Sequence, residues 1–86
     1  MAEYSITFTR SAEKELDSLE STFIRRIVPK IDALAQEPRP HGCRKIVGEK
    51  NLWRIRIGDY RVIYAINDAE HTVDVTAVRH RSKAYE

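Results

Sequence analysis

The stretch LWRIRIGDYRVIYAI, residues 52–66, constrains the fold of this chain more than any other segment. Two runs of alternating residues meet at a Gly-Asp pair, which is typical of a short β-hairpin turn. A two-residue loop sets Ile57 opposite Tyr60 and, one step further out, Arg56 opposite Arg61. Like charges in opposite positions of an antiparallel pair are unfavourable by up to about 1 kcal/mol. Stability alone does not favour this arrangement, which suggests that an anion binds there.

Alternation along the two strands sorts their side chains onto two faces. One face carries apolar and aromatic side chains: Trp53, Ile55, Ile57, Tyr60, Val62 and Tyr64. The other face carries three arginines: Arg54, Arg56 and Arg61. Arginine stays charged and offers a planar fork of donors that matches phosphate oxygens. The hairpin therefore predicts one core side and one anion-binding side. The alternative is a solvated basic face whose long side chains only cover apolar surface.

The first 36 residues predict one strand and two helices. Residues 4–9 alternate as a strand, and a helix spans residues 12–19 with Ser11 as its N-cap. A second helix runs from residue 21 or 22 to residue 36, and Pro29 in its interior predicts a bend just before the proline. Its apolar residues form a helical stripe that predicts core packing: Phe23, Ile24, Ile27, Val28, Ile31, Leu34 and Ala35.

The second half of the chain predicts strands only. Residues 44–47 favour a short edge strand before the hairpin, and residues 72–78 alternate again. Three apolar residues of this last strand share the core face: Val73, Val75 and Ala77. Arg79 continues that same face, so it reaches the arginine side only if the strand ends or bulges before it. The order predicts an α+β fold, with two N-terminal helices on one face of a small, mainly antiparallel twisted sheet.

Length and composition narrow the class of protein. The 86 residues suit one domain spanning residues 1–86, and 42% hydrophobic residues fit a globular chain. We expect a cytoplasmic protein without a membrane partner, because it has no apolar run of about 20 residues, no signal-peptide core and one cysteine. That residue, Cys43, is expected to be a packed or surface thiol. Three histidines without ligand spacing and three scattered glycines predict no metal and no nucleotide cofactor.

Local charge says more than the net charge of +2. Cations dominate from Arg39 to Lys83, whereas the acids of the N-terminal half cluster in residues 13–20, so the sheet half of the molecule is basic. The closing run RHRSKAY extends that basic region. Its histidine can carry a proton near neutral pH, and its tyrosine can stack on a base or donate a proton. The alternatives are a surface histidine and a tyrosine packed on the fold.

Four segments together resemble the RelE/ParE superfamily of bacterial toxins, and more closely its RelE branch: YSITFTRSAEKELDSL, ALAQEPRP, the hairpin and VTAVRHRSKAY. The resemblance covers essentially the whole chain. It implies a RelE-like, microbial RNase-like fold and a cognate antitoxin that binds the toxin in a hetero-oligomer. RelE-like members cut mRNA in the ribosomal A site, with the 2′-hydroxyl as nucleophile and without a metal. ParE-like members share the fold and inhibit DNA gyrase.

The resemblance also implies roles for individual residues. The catalytic set lies in the hairpin and the tail: Arg54, Arg56, Arg61, Arg79 and Tyr85. Apart from the resemblance, we expect basic residues of the sheet half and the tail to bind substrate: Lys45, Lys50, His80, Arg81 and Lys83. Relatives often carry lysines at the first two catalytic positions, and arginine, with a pKa above about 12, is a poor base. The proton acceptor stays open among His80, Lys83 and His41, and the other source of rate is orientation and charge neutralisation.

We therefore expect a metal-independent, ribosome-dependent mRNA endonuclease toxin whose partners are mRNA, the ribosome and an antitoxin. A gyrase inhibitor on the same fold is the first alternative. The second is a non-catalytic module that only holds its antitoxin.

Overall fold

A computed structural model describes residues 3–83 of the chain. Its elements follow in this order: β1 (Ser5–Phe8), α1 (Arg10–Asp17), α2 (Ser21–Ala33), β2 (Arg44–Lys45), β3 (Leu52–Ile57), β4 (Tyr60–Asn67), β5 (Thr72–His80) and a 3₁₀ turn, Arg81–Lys83. The five strands form one sheet in the order β1-β5-β4-β3-β2. β1 runs parallel to β5, and every other pair is antiparallel. The expected α+β fold, two helices on a mainly antiparallel sheet, is confirmed. Within this part of the chain, no helix is both long and apolar enough to span a membrane.

The hairpin has the predicted register throughout. Ile57 pairs with Tyr60 and Arg56 pairs with Arg61, so the turn contains two residues. Gly58 has φ 61, whereas the following residue has no positive φ. A positive φ at the first central position alone is the pattern of a type II′ turn, in which glycine is preferred because it has no Cβ.

α2 packs against the apolar face of the hairpin and α1 packs against β5 and β1, so the core lies between the helices and the sheet. Its buried residues come from both layers: Ala12, Ile27, Ile31, Leu34, Ile55, Ile57, Val62, Tyr64, Ile66, Val73, Val75 and Val78. Each fully buried aliphatic side chain of this kind contributes about 1.5–3 kcal/mol. The predicted stripe of α2 supplies Ile27, Ile31 and Leu34, each 1% exposed. Packing, rather than helix propensity, therefore holds α2 on the sheet.

The helix boundaries differ from the predicted ones. α1 begins two residues earlier, and Thr9 rather than Ser11 is its N-cap, because the Thr9 Oγ1 accepts a hydrogen bond from the Ala12 amide at 3.2 Å. Thr9 and Ser11 are two positions apart and both carry a hydroxyl group, so only the backbone geometry distinguishes which of them is the N-cap. α2 continues through Pro29 to Ala33, three residues short of the predicted end. The bend near the proline stays a prediction.

Two polar contacts fix the proline-rich loop after α2 against the sheet. Tyr64 donates a hydrogen bond to the Pro38 carbonyl at 2.8 Å. Arg39 binds Asp68 through both guanidinium Nη atoms at 3.2 and 2.9 Å, and Tyr4 donates to the same carboxylate at 2.6 Å. Hydrogen bonds from Arg39 first, and then from Tyr4, lower the pKa of Asp68 to about 2. The loop is thereby joined to β1 and to the β4–β5 turn.

Candidate functional site: an arginine-lined sheet face

A β-bulge in β5 decides on which side of the sheet Arg79 lies. The register between β4 and β5 shifts between Ile63 and Tyr64, and Thr76 has no register partner. Beyond such an extra residue the alternation of side chains is reversed. Arg79 therefore lies directly opposite Arg61, on the arginine side of the sheet. The sequence left this open, because the bulge was the condition for Arg79 to reach that side.

The same bulge corrects the prediction for Ala77. This residue was expected on the core face with Val73 and Val75, but it pairs with Ile63 on the arginine side. Val78 takes its place in the core, where it is 2% exposed. A single inserted residue explains both exchanges, because a shift of one position moves every later side chain to the other face.

Three arginines now form one row across three strands. Arg56 of β3 pairs with Arg61 of β4, and Arg61 pairs with Arg79 of β5. Arg56 is exposed, whereas Arg61 retains only 8% of its surface. The row is therefore not uniformly exposed to solvent. Holding a guanidinium that deeply is costly without compensating interactions, so this row is a built feature rather than a loose set of surface charges.

A second row lies two residues further along the strands, and it contains an arginine that the sequence prediction missed. Arg44 of β2 pairs with Arg54 of β3, and Ile63 and Ala77 continue the row across β4 and β5. Lys45, the residue that was predicted instead, pairs with Trp53, one position off this row, and it borders the same open space as Arg44 and Arg54. Counting back from the hairpin along an antiparallel edge strand could have placed Arg44 opposite Arg54. A strand of only two residues, however, does not fix its register from the sequence alone.

Glu15 of α1 is a second residue that the sequence prediction missed. Its Oε1 accepts a hydrogen bond from the Val78 amide at 2.9 Å, and its Oε2 forms a 2.9 Å salt bridge with the Arg79 Nε. β1 pairs with β5 only as far as Val75, so the Val78 amide lies on an unpaired strand edge. One carboxylate thus satisfies that edge and holds an arginine of the site. In the sequence Glu15 is one acid among several in a helix, with nothing to single it out.

His80 lies on the helix side rather than with the arginines. It pairs with Tyr60 at the end of β5, and the two rings meet edge to face with centroids 5.5 Å apart. Its Nδ1 lies 3.0 Å from the Ser82 Oγ. The predicted substrate-binding role of His80 would therefore require an approach from the opposite face of the sheet.

The remaining predicted site residues are dispersed. Arg81 lies beside the hairpin turn, because its amide donates to the Asp59 carbonyl at 2.7 Å. Lys50 is exposed in the connection between β2 and β3, and Lys83 ends the 3₁₀ turn. Tyr85 lies outside the described residues. The structure therefore places four of the five predicted catalytic residues, the arginines, on one side of the sheet, and their catalytic role stays a prediction.

The arginine face is polarised along the strands. Within residues 3–83, neither Arg54 nor Arg56 forms an ion pair, and the Arg54 Nη1 is buried without a hydrogen-bond partner. The acid on this face, Asp74, lies beyond the apolar middle of the sheet and accepts a hydrogen bond from Thr7 at 2.8 Å. Among the described residues, no group of three His, Cys, Asp or Glu side chains is arranged to hold a metal. Chemically, the hairpin end offers a concentration of fixed positive charge suited to a phosphodiester.

Comparison with known proteins gives one consistent relationship. A family model described as the ParE toxin of the type II toxin–antitoxin system parDE matches residues 6–85. Toxin RelE of Mycobacterium tuberculosis (strain ATCC 25618 / H37Rv) is 30% identical over 83 residues, covering 95% of this chain and 86% of that toxin.

Solved structures are similar over nearly the whole chain. One chain of the archaeal RelE–RelB complex from Pyrococcus horikoshii OT3 superposes with a TM-score of 0.81 at 31% identity, covering 98% of this chain and 100% of that one. The isolated E. coli RelE toxin gives a TM-score of 0.82 at 25% identity, with 95% and 88% covered. The chain therefore belongs to the RelE/ParE family of type II toxin–antitoxin toxins, on its RelE side.

Proposed function

We propose that this RelE-type toxin is a ribosome-dependent endoribonuclease that cuts mRNA in the ribosomal A site and so stops translation. The observation that carries the proposal is the row Arg56–Arg61–Arg79, which the bulge at Thr76 completes. A row of rigidly spaced guanidinium groups is suited to bind a phosphodiester and to neutralise the charge that develops on phosphorus. Similarity to RelE toxins supports the assignment to this branch of the family.

The proposed reaction is an attack by the 2′-hydroxyl on the adjacent phosphorus. The new P–O bond forms as the bond to the 5′-oxygen of the next nucleotide breaks. The 2′-hydroxyl gives up its proton to a base and the leaving 5′-oxygen takes a proton from water, so one product ends in a 2′,3′-cyclic phosphate and the other in a 5′-hydroxyl. Arg61 and Arg79 are proposed to hold the phosphate, and Arg54 to bind beside it. Fixing the hydroxyl in line with the leaving oxygen supplies much of the rate, and the mechanism requires no metal.

The positions of the candidate residues reduce the choice of proton acceptor. Arginine stays charged, so none of the arginines serves as a base. His80 lies on the helix side, and His41 is exposed in the loop before β2. The acceptor is therefore proposed to be Lys83, Tyr85 or a group of the ribosome. The carboxylates near these arginines, Glu15 and Asp74, already accept hydrogen bonds from the Val78 amide, Arg79 and Thr7. Electrostatic stabilisation and orientation are therefore proposed to carry the greater share of catalysis.

An antitoxin is the proposed binding partner, and the complex is proposed to form in the cytoplasm. RelE chains are seen with RelB antitoxins from Pyrococcus horikoshii, Mycobacterium tuberculosis and E. coli. An antitoxin that neutralises this chain is expected to cover arginines 54, 56 and 61 with acidic and apolar side chains.

Inhibition of DNA gyrase is the second candidate, because the matching family model is named for ParE. Induction without antitoxin separates the two: the proposal expects cut mRNA ends within translated regions, whereas the alternative expects DNA breaks and intact mRNA. Arg61→Ala and Arg79→Ala should relieve growth arrest, and Arg25→Gln, which removes an exposed charge from α2, should not. Full toxicity of both alanine variants, with mRNA still cut, would refute the assigned site.

A further inference from the structure

The arginine side carries a second feature beyond the row that holds the scissile phosphate. Arg44 of β2 lies directly opposite Arg54 of β3, and the chain beyond β2 borders an open groove of ≈ 670 Å³ beside them. This volume falls within the roughly 300–1,000 Å³ of small-ligand sites. The lining that matters combines three arginines with three apolar residues: Arg44, Arg54, Arg61, Ile46, Val47 and Ile63. We name this feature the Arg44 groove.

The cationic part of the Arg44 groove is incomplete without a ligand. Like charges in opposite positions destabilise a strand pair, and neither Arg44 nor Arg54 forms an ion pair within residues 3–83. The Arg54 Nη1 is also buried without a hydrogen-bond partner among these residues. A buried donor without an acceptor is unfavourable, and an anionic oxygen in the groove would relieve both costs.

The apolar part of the Arg44 groove separates a nucleotide from a simple anion. Val47 is 96% exposed, the one large hydrophobic residue so exposed in the described part of the chain. Ile46 and Ile63 are half-buried beside it. A free phosphate gains nothing from such a wall. A nucleotide presents an anionic phosphate together with a base whose flat faces are apolar, so both parts of the groove find a match.

The spacing of the two rows fits one nucleotide step. Arg54 and Arg56 are two residues apart on β3, a separation of roughly 7 Å along a strand. This is about the distance between successive phosphates of an extended single strand. We propose that the Arg44 groove is a nucleotide subsite of the RNA substrate: Arg44 and Arg54 hold the phosphate next to the scissile one, and the adjoining base lies against Val47 and Ile63. This inference rests on the proposed function and extends its site by one nucleotide.

A binding measurement tests the groove without relying on cleavage. The probe is a fluorescently labelled oligoribonucleotide of five residues, 2′-O-methylated throughout so that it cannot be cut, and its anisotropy is followed with purified toxin over a series of salt concentrations. Arg44→Gln should weaken binding about fivefold and reduce the slope of log K against log[salt] by about 0.7. Val47→Ser should weaken binding about threefold with an unchanged slope, because it removes apolar contact and no charge. Arg25→Gln, an equal loss of charge on α2, is the control and should match the wild type.

The outcomes separate this inference from the proposed function. Failure of the wild type to bind the probe at low salt overturns the groove, and so does an Arg44→Gln variant that behaves like Arg25→Gln. Unchanged RNA affinity together with weaker binding of the cognate antitoxin would assign the groove to the antitoxin and overturn the proposal. If wild-type toxin cuts mRNA but the variants do not show the expected changes in affinity and salt slope, the nucleotide subsite is refuted and the nuclease assignment is unaffected. If the variants show the expected changes in RNA binding but translated mRNA stays intact, the nuclease assignment is refuted and the RNA subsite is supported.

Discussion

Glu15 and Arg79 are joined by a 2.9 Å salt bridge that crosses from helix α1 to the last strand. The second carboxylate oxygen of Glu15 accepts from the Val78 amide at 2.9 Å, so the contact fixes the strand edge and the arginine together. The Glu15 and Arg79 side chains retain 28% and 36% of their surfaces, respectively. A charge pair with this exposure adds little to stability. The salt bridge instead positions Arg79 beside Arg61, where both arginines are proposed to hold the phosphate.

Replacing Glu15 should separate positioning from stability. In Glu15→Gln the amide oxygen can still accept from Val78, but the charge that holds Arg79 is lost. We expect a loss of stability below about 1 kcal/mol and a fall of about tenfold in mRNA cleavage. Glu15→Ala should lose about 1 kcal/mol more, because the Val78 amide loses its acceptor. Cleavage in a translating extract and thermal unfolding measure the two effects.

Glu13→Gln is the matched control, since Glu13 is exposed in the same helix and no described hydrogen bond or salt bridge involves its side chain. A Glu15→Gln toxin that cuts as fast as the wild type would show that Glu15 acts on folding alone.

Acid should release the loop after α2. The pKa of Asp68 is about 2, below its ordinary value of 3.8, because Arg39 and Tyr4 donate hydrogen bonds to the charged carboxylate. A depressed pKa means that the unfolded chain binds the proton more readily. The contribution of Asp68 to stability is therefore present above about pH 4 and is lost as the pH falls toward 2. Asp68→Asn should show a weaker decline in denaturant midpoint across this interval than the wild type, and an equal decline would contradict the contact.

Alkali should act through Tyr64. Burial raises the pKa of its phenol above the ordinary value of 10.0, so the folded state holds the neutral form, which donates to the Pro38 carbonyl. Its contribution to stability is complete below about pH 10 and declines as the pH rises beyond it. Tyr64→Phe should cost about 1 kcal/mol at pH 7, from the lost hydrogen bond, and should flatten the alkaline decline. Urea unfolding at pH 7 and pH 11 measures both effects.

Some parts of this fold could be predicted from the sequence and others could not. The hairpin register followed from alternation and a two-residue turn, and it is correct at every pair from Trp53–Tyr64 to Ile57–Tyr60. The N-cap was wrong because Thr9 and Ser11 carry the same chemistry and only the backbone separates them. Parallel pairing of β1 with β5 joins residues at opposite ends of the chain, which local patterns do not report.

The site followed the same rule. The hairpin arginines could be predicted to share a face because they are close together in the sequence. The position of Arg79 could not be predicted, because it requires a bulge at Thr76 and the sequence has no turn residue there that indicates one. Arg44 needed the register of a two-residue strand, and Glu15 needed the packing of a helix against a strand edge. For Glu15 the limit was distance along the chain, because its partners Val78 and Arg79 lie more than 60 residues away.

Antitoxin binding should depend on salt. If the antitoxin covers Arg54, Arg56 and Arg61, its dissociation constant should rise steeply with ionic strength, because charge pairs at a surface are screened. Titration of the purified toxin with its antitoxin at two salt concentrations measures this dependence. An affinity insensitive to salt would instead indicate a mainly apolar contact with the helices.

The central claim is that the arginine row serves a reaction in which the 2′-hydroxyl of mRNA attacks the adjacent phosphorus. The most direct test uses translating ribosomes that hold an mRNA with a single 2′-deoxy nucleotide at the mapped cut position, beside an unmodified mRNA. We expect the toxin to cut the unmodified strand, leaving a 2′,3′-cyclic phosphate and a 5′-hydroxyl, and to leave the 2′-deoxy strand intact. Cleavage of both strands at the same position would contradict it.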